Sequence, residues 1–163
     1  MHRDLKPENV VGQQIGSDVL TVKILDFGLA KLHTADSAPS GTLTVHGSVM
    51  GTLGYMSPEQ LMGGKVDQRT DIFAVGVMLV EALTGRMPFR GDTTADLVRA
   101  VLHDVVRLQP VNPQVMAIDA LLQQCLAKDA RQRIGSVELL RGLLIPALDA
   151  FQHSVHISVT HDQ

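Results

Sequence analysis

With Cys125 as the only cysteine among 163 residues, the chain has no means of closing an intramolecular disulfide. A fold that must hold without covalent staples fits a reducing compartment, so a cytoplasmic setting is expected, either free or as the cytosolic part of a longer, membrane-anchored protein. Excess charge of one sign is missing too. The 14 Lys and Arg stand against 17 Asp and Glu, and both signs are spread along the length, which leaves no basic stripe for nucleic acid and no polybasic patch for anionic lipid. Long apolar runs are also lacking. The longest, Ile72 to Leu83, is interrupted by Glu81 and falls well short of the roughly 20 residues that cross a bilayer, so no membrane segment is expected in this chain. His2, Arg3 and Asp4 follow Met1 directly, without the apolar region of a signal peptide.

What the sequence does hold is enough apolar material for one core. At 45% hydrophobic residues, a chain of this length should bury roughly two-thirds of the surface its unfolded form exposes. Asn9 to Val11 and Val19 to Leu25 are β-branched-rich runs separated by Gly12, Gly16, Ser17 and Asp18, the composition of a hairpin. From Gly28 to Gly54 no period of 2 or 3.6 is sustained, which predicts a long loop of the kind that is functional or mobile in compact domains. Thr70 stands where an N-cap belongs, Gly85 sits just past a last turn and Pro88 forbids continuation, so a helix is predicted from Asp71 to Thr84. Its residues Ile72, Phe73, Val75, Val77, Met78, Leu79, Val80 and Leu83 leave almost no polar face, and other elements must surround it.

Thr93 with Asp96 forms a capping-box start for a helix to about His103, buried through Leu97, Val98, Val101 and Leu102. Pro113 opens another, with a stripe of Val115, Ile118, Leu122, Cys125 and Leu126. Cys125 is therefore read as core, since no charged partner on its face would stabilise a thiolate. Ser136 to about Phe151 reads as a last helix that Pro146 is expected to kink or split. Residues 152–163 are expected to form a flexible tail. Its His153, His156 and His161 lack a carboxylate or cysteine partner at fixed spacing, which favours a solvated tail over a metal site.

The residues that carry chemistry come first in the chain. His2-Arg3-Asp4-Leu5-Lys6-Pro7-Glu8-Asn9 resembles the catalytic loop of protein kinases at every position, and Asp26-Phe27-Gly28 follows at the end of a strand, as in that family. Gly51-Thr52-Leu53-Gly54-Tyr55-Met56-Ser57-Pro58-Glu59 resembles the segment that closes the activation loop, with Ser57 in place of the usual alanine. Asp71-Ile72-Phe73-Ala74-Val75-Gly76 resembles the start of the kinase's central helix, with Phe73 for Trp and Ala74 for Ser. A capped turn or a surface polar residue would account for any one of these; the blocks in this order are far harder to obtain by chance. The resemblance covers residues 1–151, and Met56 to Gln60 looks like the bacterial-type serine/threonine kinases.

This resemblance implies an α+β, mostly α fold: a protein-kinase-like C-terminal lobe, with a short hairpin and helices bundled around a central buried helix. It implies transfer of the ATP γ-phosphate to Ser or Thr hydroxyls of protein substrates, with ATP and Mg²⁺ as cofactors. Asp4 would orient the hydroxyl and accept its proton, and Lys6 would place a cation beside the transferred phosphate. Asn9 and Asp26 supply the oxygen ligands that suit Mg²⁺. Lys6, Asn9 and Asp26 together would face the ATP phosphates, and Thr52 lies in the segment that meets the substrate. Glu59 and Arg133 resemble a buried structural ion pair. Asp71 resembles the residue that accepts hydrogen bonds from the catalytic-loop backbone, although helix capping explains it nearly as well. Arg3 matches kinases whose activation loop is ordered when a phosphate pairs with that arginine; Thr34, Ser37, Ser40, Thr42, Thr44 and Ser48 are candidate acceptors, with Thr44 and Ser48 nearest the usual place.

Some family parts do not occur in this sequence. It has no G-x-G-x-x-G loop, no strand lysine in a V-A-I-K context and no partner glutamate for it, so the N-terminal, ATP-covering lobe is absent and belongs upstream. Met1 occupies the apolar position that precedes the His-Arg-Asp triplet, which points to a start displaced from the native one. Negligible activity is expected from the chain alone, and the floor of the cleft should expose apolar surface. Two other classes compete. A docking module without phosphotransfer has no need of Asp4, Asn9 and Asp26 together, and small-molecule kinases of the antibiotic or choline type lack Lys6 and the segment from Gly51 to Glu59.

Overall fold

Pro7 fixes its own backbone angle and starts a 3-10 turn, Pro7–Asn9, that leads directly into a two-stranded antiparallel sheet. Its strands are β1 (Val10–Ile15) and β2 (Val19–Ile24), with Val10 opposite Ile24 and Ile15 opposite Val19. The Leu25 amide donates to the Asn9 carbonyl at 2.8 Å and closes the open end of the hairpin. Asn9, expected at the head of the first strand, belongs instead to the turn, because its side chain bonds back to Asp4. The computed structural model describes residues 1–15, 19–25, 52–108 and 112–160, without the side chains of 15, 19, 20 and 153–160. Asp26, Phe27, Gly28 and most of the predicted long loop lie outside that set, as do the side chains of His153, His156 and His161.

Helices follow. Ser57 and Gln60 cap α1 (Pro58–Leu61) reciprocally, with Pro58 in the first turn. α2 (Gln68–Thr84) begins earlier than Thr70. Asp67 is its N-cap and accepts from the Arg69 amide, while the Thr70 hydroxyl turns inward to Glu59. Gly85 ends it in the left-handed conformation (φ 67°), at the place the sequence predicts. α3 (Thr94–His103) opens on the Thr93–Asp96 capping box, and α4 (Pro113–Cys125) on Asn112 with Pro113 behind it. A 3-10 turn, Ala130–Gln132, precedes α5 (Val137–Thr160). That helix continues past Phe151 into the segment expected as a tail, and Pro146 does not split it.

α2 is the axis, as a helix without a polar face must be. Phe73, Val77 and Val80 enter a core with Phe89, Leu97, Val101, Ile118 and Leu122, while Ile72 faces a second cluster of Cys125, Ile134 and Leu140. Val98 and Leu102, expected in the core, are half-buried. The rings of Phe73 and Phe89 stack at 5.9 Å, and the Lys128 ammonium lies 4.1 Å over Phe89 while donating to the Val101 carbonyl. Cys125 is fully buried, and burial pushes its thiol up to about 11. No helix of the described residues is long and apolar enough to cross a membrane.

At Gly76, α2 packs closely on the end of α4. A methyl there would lie 2.8 Å from Cys125 Cβ and 3.0 Å from Leu126 Cδ2. Leu126 can move its side chain; Cys125 Cβ is tied to its backbone. Overpacking of this kind costs about 1–3 kcal/mol, against a helix-propensity gain of about 1 kcal/mol for Ala over Gly. Gly76→Ala should therefore lower stability by up to about 2 kcal/mol in urea unfolding of the chain, and a stabilised variant would contradict the packing described.

Candidate active site

The loop before the hairpin is held by Asp71 of α2. One carboxylate oxygen accepts from the His2 amide at 2.6 Å and the other from the Arg3 amide at 2.8 Å. Capping therefore falls to Asp67 and loop anchoring to Asp71, the alternative the sequence leaves open. His2 is buried, and its Nε2 faces the Leu25 carbonyl at 2.8 Å; since a carbonyl only accepts, Nε2 carries the proton and Nδ1 takes the Asp4 amide at 3.4 Å. Arg3 is the one non-glycine among the described residues with positive φ, at 70°.

Asn9, buried in the turn, donates from Nδ2 to the Asp4 carbonyl at 2.8 Å and to Asp4 Oδ2 at 3.5 Å. Lys6 Nζ donates to Thr52 Oγ1 at 3.3 Å, which joins the loop to the segment before α1. Arg3, Asp4, Lys6, Thr52, Tyr55, Gln60 and Asp71 are among the residues that line one cleft. Behind it, the Tyr55 hydroxyl donates to Glu81 at 2.5 Å; burial first, and this bond second, hold the phenol well above its ordinary range.

Glu59 and Arg133 meet as a bidentate pair, at 2.7 and 2.8 Å, with the Arg133 side chain wholly buried. Burial alone would raise the Glu59 carboxyl. Hydrogen bonds from Arg133, its own backbone amide and Thr70, with the charge of Arg133, outweigh it and hold the group at about 2. Arg133 also donates to the carbonyls of Ala127, Arg69 and Lys128, so the pair ties α1 to α2 and to the turn before α5.

Comparison with known proteins gives this geometry a family. The profile described as "Protein kinase domain" matches residues 1–145. The chain belongs to the protein kinase family. Among curated relatives of this kinase chain, Serine/threonine-protein kinase pkn3 of Myxococcus xanthus is 38% identical over 149 residues, which is 88% of this chain and 27% of that protein. Serine/threonine-protein kinase A of Synechocystis is 37% identical over 158 residues (95% and 29%), and Serine/threonine-protein kinase PrkC of Bacillus subtilis 35% over 154 (92% and 22%). The chain thus spans less than a third of the length of these relatives. They are serine/threonine kinases of bacteria, the type that Met56 to Gln60 resembles.

Of the residues singled out in the sequence, Arg3, Asp4, Lys6 and Thr52 line the cleft of this kinase chain, Asn9 is hydrogen-bonded to Asp4, and Glu59 and Arg133 stand behind. Asp26, Thr44 and Ser48 lie outside the described residues. Gln60 was missed. Its side-chain amide donates to the Arg3 carbonyl at 2.9 Å, and the signal available in the sequence was the Ser57-x-x-Gln60 spacing of a capping box.

Proposed function

We propose that this chain is the C-terminal lobe of a serine/threonine protein kinase that transfers the γ-phosphate of ATP to Ser or Thr hydroxyls of protein substrates. The observation that carries the reading is one hydrogen-bonded set: Asp4 held by Asn9, Lys6 held to Thr52, and the loop bearing them fixed on Asp71. Phosphoryl transfer asks a protein mainly for positioned charge, and this set supplies it. The Asp4 carboxylate orients the acceptor hydroxyl and takes its proton as the bond to phosphorus forms. Lys6, held by Thr52, sets a cation between the substrate segment and the reacting phosphate.

The donor chemistry fits Mg²⁺. Asn9 turns its NH₂ to the Asp4 carbonyl, which leaves Oδ1 as the end for a hard cation, and Asp26 adds a carboxylate from the sequence. Bound there, Mg²⁺ would neutralise charge on the ATP phosphates. Arg3, half-buried at the cleft, is the proposed partner for a phosphate on Thr44 or Ser48.

An ATP-covering lobe upstream of Met1 completes the reading. In its support, Met1 and the apolar hairpin residues Val11, Val22, Ile24 and Leu25 are 44–54% exposed, with Val22 and Ile24 on one face of the sheet. Phosphate transfer from radiolabelled ATP to a general protein substrate is the test. The protein including its upstream sequence is expected to transfer, and residues 1–163 alone to transfer at least 100-fold more slowly, since each preorganised electrostatic group taken from a reacting centre costs about 100- to 1000-fold. An upstream-extended, folded protein without transfer would sink the proposal.

A further inference from the structure

Gln60 makes two kinds of contact at once. Its Oε1 accepts from the Ser57 amide at 3.0 Å and from the Ser57 hydroxyl at 3.3 Å, and its Nε2 donates to the Arg3 carbonyl at 2.9 Å. The partners fix which end is which, because a backbone N–H only donates and a carbonyl only accepts. Capping explains the first contact and would be served equally by glutamate, the other common residue at this position of a capping box. It does not explain the second. That one lands on Arg3, the residue in the left-handed conformation, whose backbone costs on the order of 1–2 kcal/mol for a side chain with a Cβ.

The Arg3 carbonyl belongs to the peptide that joins Arg3 to Asp4. Asp71 holds the preceding peptide through the Arg3 amide, whereas the Arg3–Asp4 peptide is held by Gln60 at its carbonyl and, at 3.4 Å, by His2 Nδ1 at the Asp4 amide. The direction of the Asp4 side chain follows from the plane of that peptide. Gln60, for its part, sits in the first turn of α1, directly after the segment that bears Thr52 and Tyr55.

We propose that Gln60 is a positioning residue: by holding the Arg3 carbonyl it aims the Asp4 carboxylate, and it makes that aim depend on the substrate segment and α1 being folded. The proposal rests on the kinase reading above. It separates from capping because one substitution splits the two roles. Gln60→Glu keeps the acceptor oxygen for Ser57 and removes the donor to Arg3; Gln60→Ala removes both.

The experiment measures transfer in the protein including its upstream sequence, and amide hydrogen exchange in the 163-residue chain. Gln60→Glu is expected to lower kcat about tenfold, a moderate share of the roughly 100-fold that a misplacement of 1 Å can cost, with KM for ATP and for peptide within about twofold. Its melting temperature should stay within about 4 °C of the parent, a shift worth about 1–2 kcal/mol in a chain of this size. Exchange of the Asp4 amide, in the same peptide as the Arg3 carbonyl, should accelerate several-fold. Gln60→Ala should show the same kcat loss and a lower melting temperature besides. Parental kcat in Gln60→Glu, or unchanged Asp4 exchange, overturns the proposal, and so does a loss confined to melting temperature. A parent protein that transfers no phosphate removes the kinase reading, and the positioning role with it, whatever the exchange shows of the hydrogen bond.

Discussion

Glu59→Ala should cost the chain about 3 kcal/mol, the lower end of the 3–5 kcal/mol typical when one partner of a buried pair is removed. The lower end follows from what Arg133 retains. Its guanidinium is wholly buried, but three carbonyls, from Ala127, Arg69 and Lys128, still accept from it when the carboxylate is gone. Thr70 loses its acceptor as well, and its hydroxyl is buried. Since domains of this size are stable by about 5–15 kcal/mol, the loss is a large fraction of the whole and should lower the melting temperature by about 6–12 °C. A second substitution, Arg133→Met in the Glu59→Ala background, removes the stranded charge and should recover much of the loss. The pH dependence has a defined sign. The Glu59 carboxyl is held at about 2 when folded, below its ordinary 4.5, so its contribution is complete above pH 4.5 and is lost as pH falls from there towards 2. The Glu59→Ala chain should show a flatter acid limb. A cost under about 1 kcal/mol in denaturant unfolding would mean that the pair does not carry the scaffold.

The parts of the fold legible in the sequence are those whose signals are local. α3 and α4 begin where Thr93–Asp96 and Pro113 place them, because a capping box and a first-turn proline act within three residues of the helix start. The start of α2 was misplaced at Thr70 because that hydroxyl bonds Glu59, a partner no cap rule can see; the true cap, Asp67, is an equally good residue type. Pro146 leaves α5 unsplit for a solvent reason. Pro146 and Gly142 are both exposed, so the carbonyl that loses its helical donor faces water. The same division runs through the site. Asp4, Lys6 and Asn9 were legible from one contiguous motif. The role of Asp71 was open between cap and loop acceptor, and only the meeting of α2 with the loop decides it. Gln60 carried a readable capping signal, yet its reach to Arg3 across the chain is tertiary.

The largest effect on activity is expected from Asp4→Asn in the protein including its upstream sequence. Asn keeps the shape and removes the charge. Under the proposed mechanism the variant can no longer take the hydroxyl proton, and a positioned acid–base group contributes about 100- to 10,000-fold, so kcat should fall by that much. KM for ATP should change little, because Asp4 is the proposed acceptor-side group while Asn9 and Asp26 are the proposed phosphate-side ligands. Folding should be preserved as well: the short bond from Asn9 goes to the Asp4 carbonyl, and Asp71 holds the amides of His2 and Arg3, none of which involves the Asp4 carboxylate. The contact from Asn9 to the carboxylate Oδ2 is 3.5 Å, too long to contribute much. Asp71→Asn is the informative contrast. It turns one carboxylate oxygen into an NH₂ that cannot accept, so a loop amide of His2 or Arg3 loses its partner and both kcat and melting temperature should fall. If Asp4→Asn retained a third of the parental rate, Asp4 would not be the base. If it lost rate and stability together, as Asp71→Asn should, Asp4 would belong to the scaffold rather than to the chemistry.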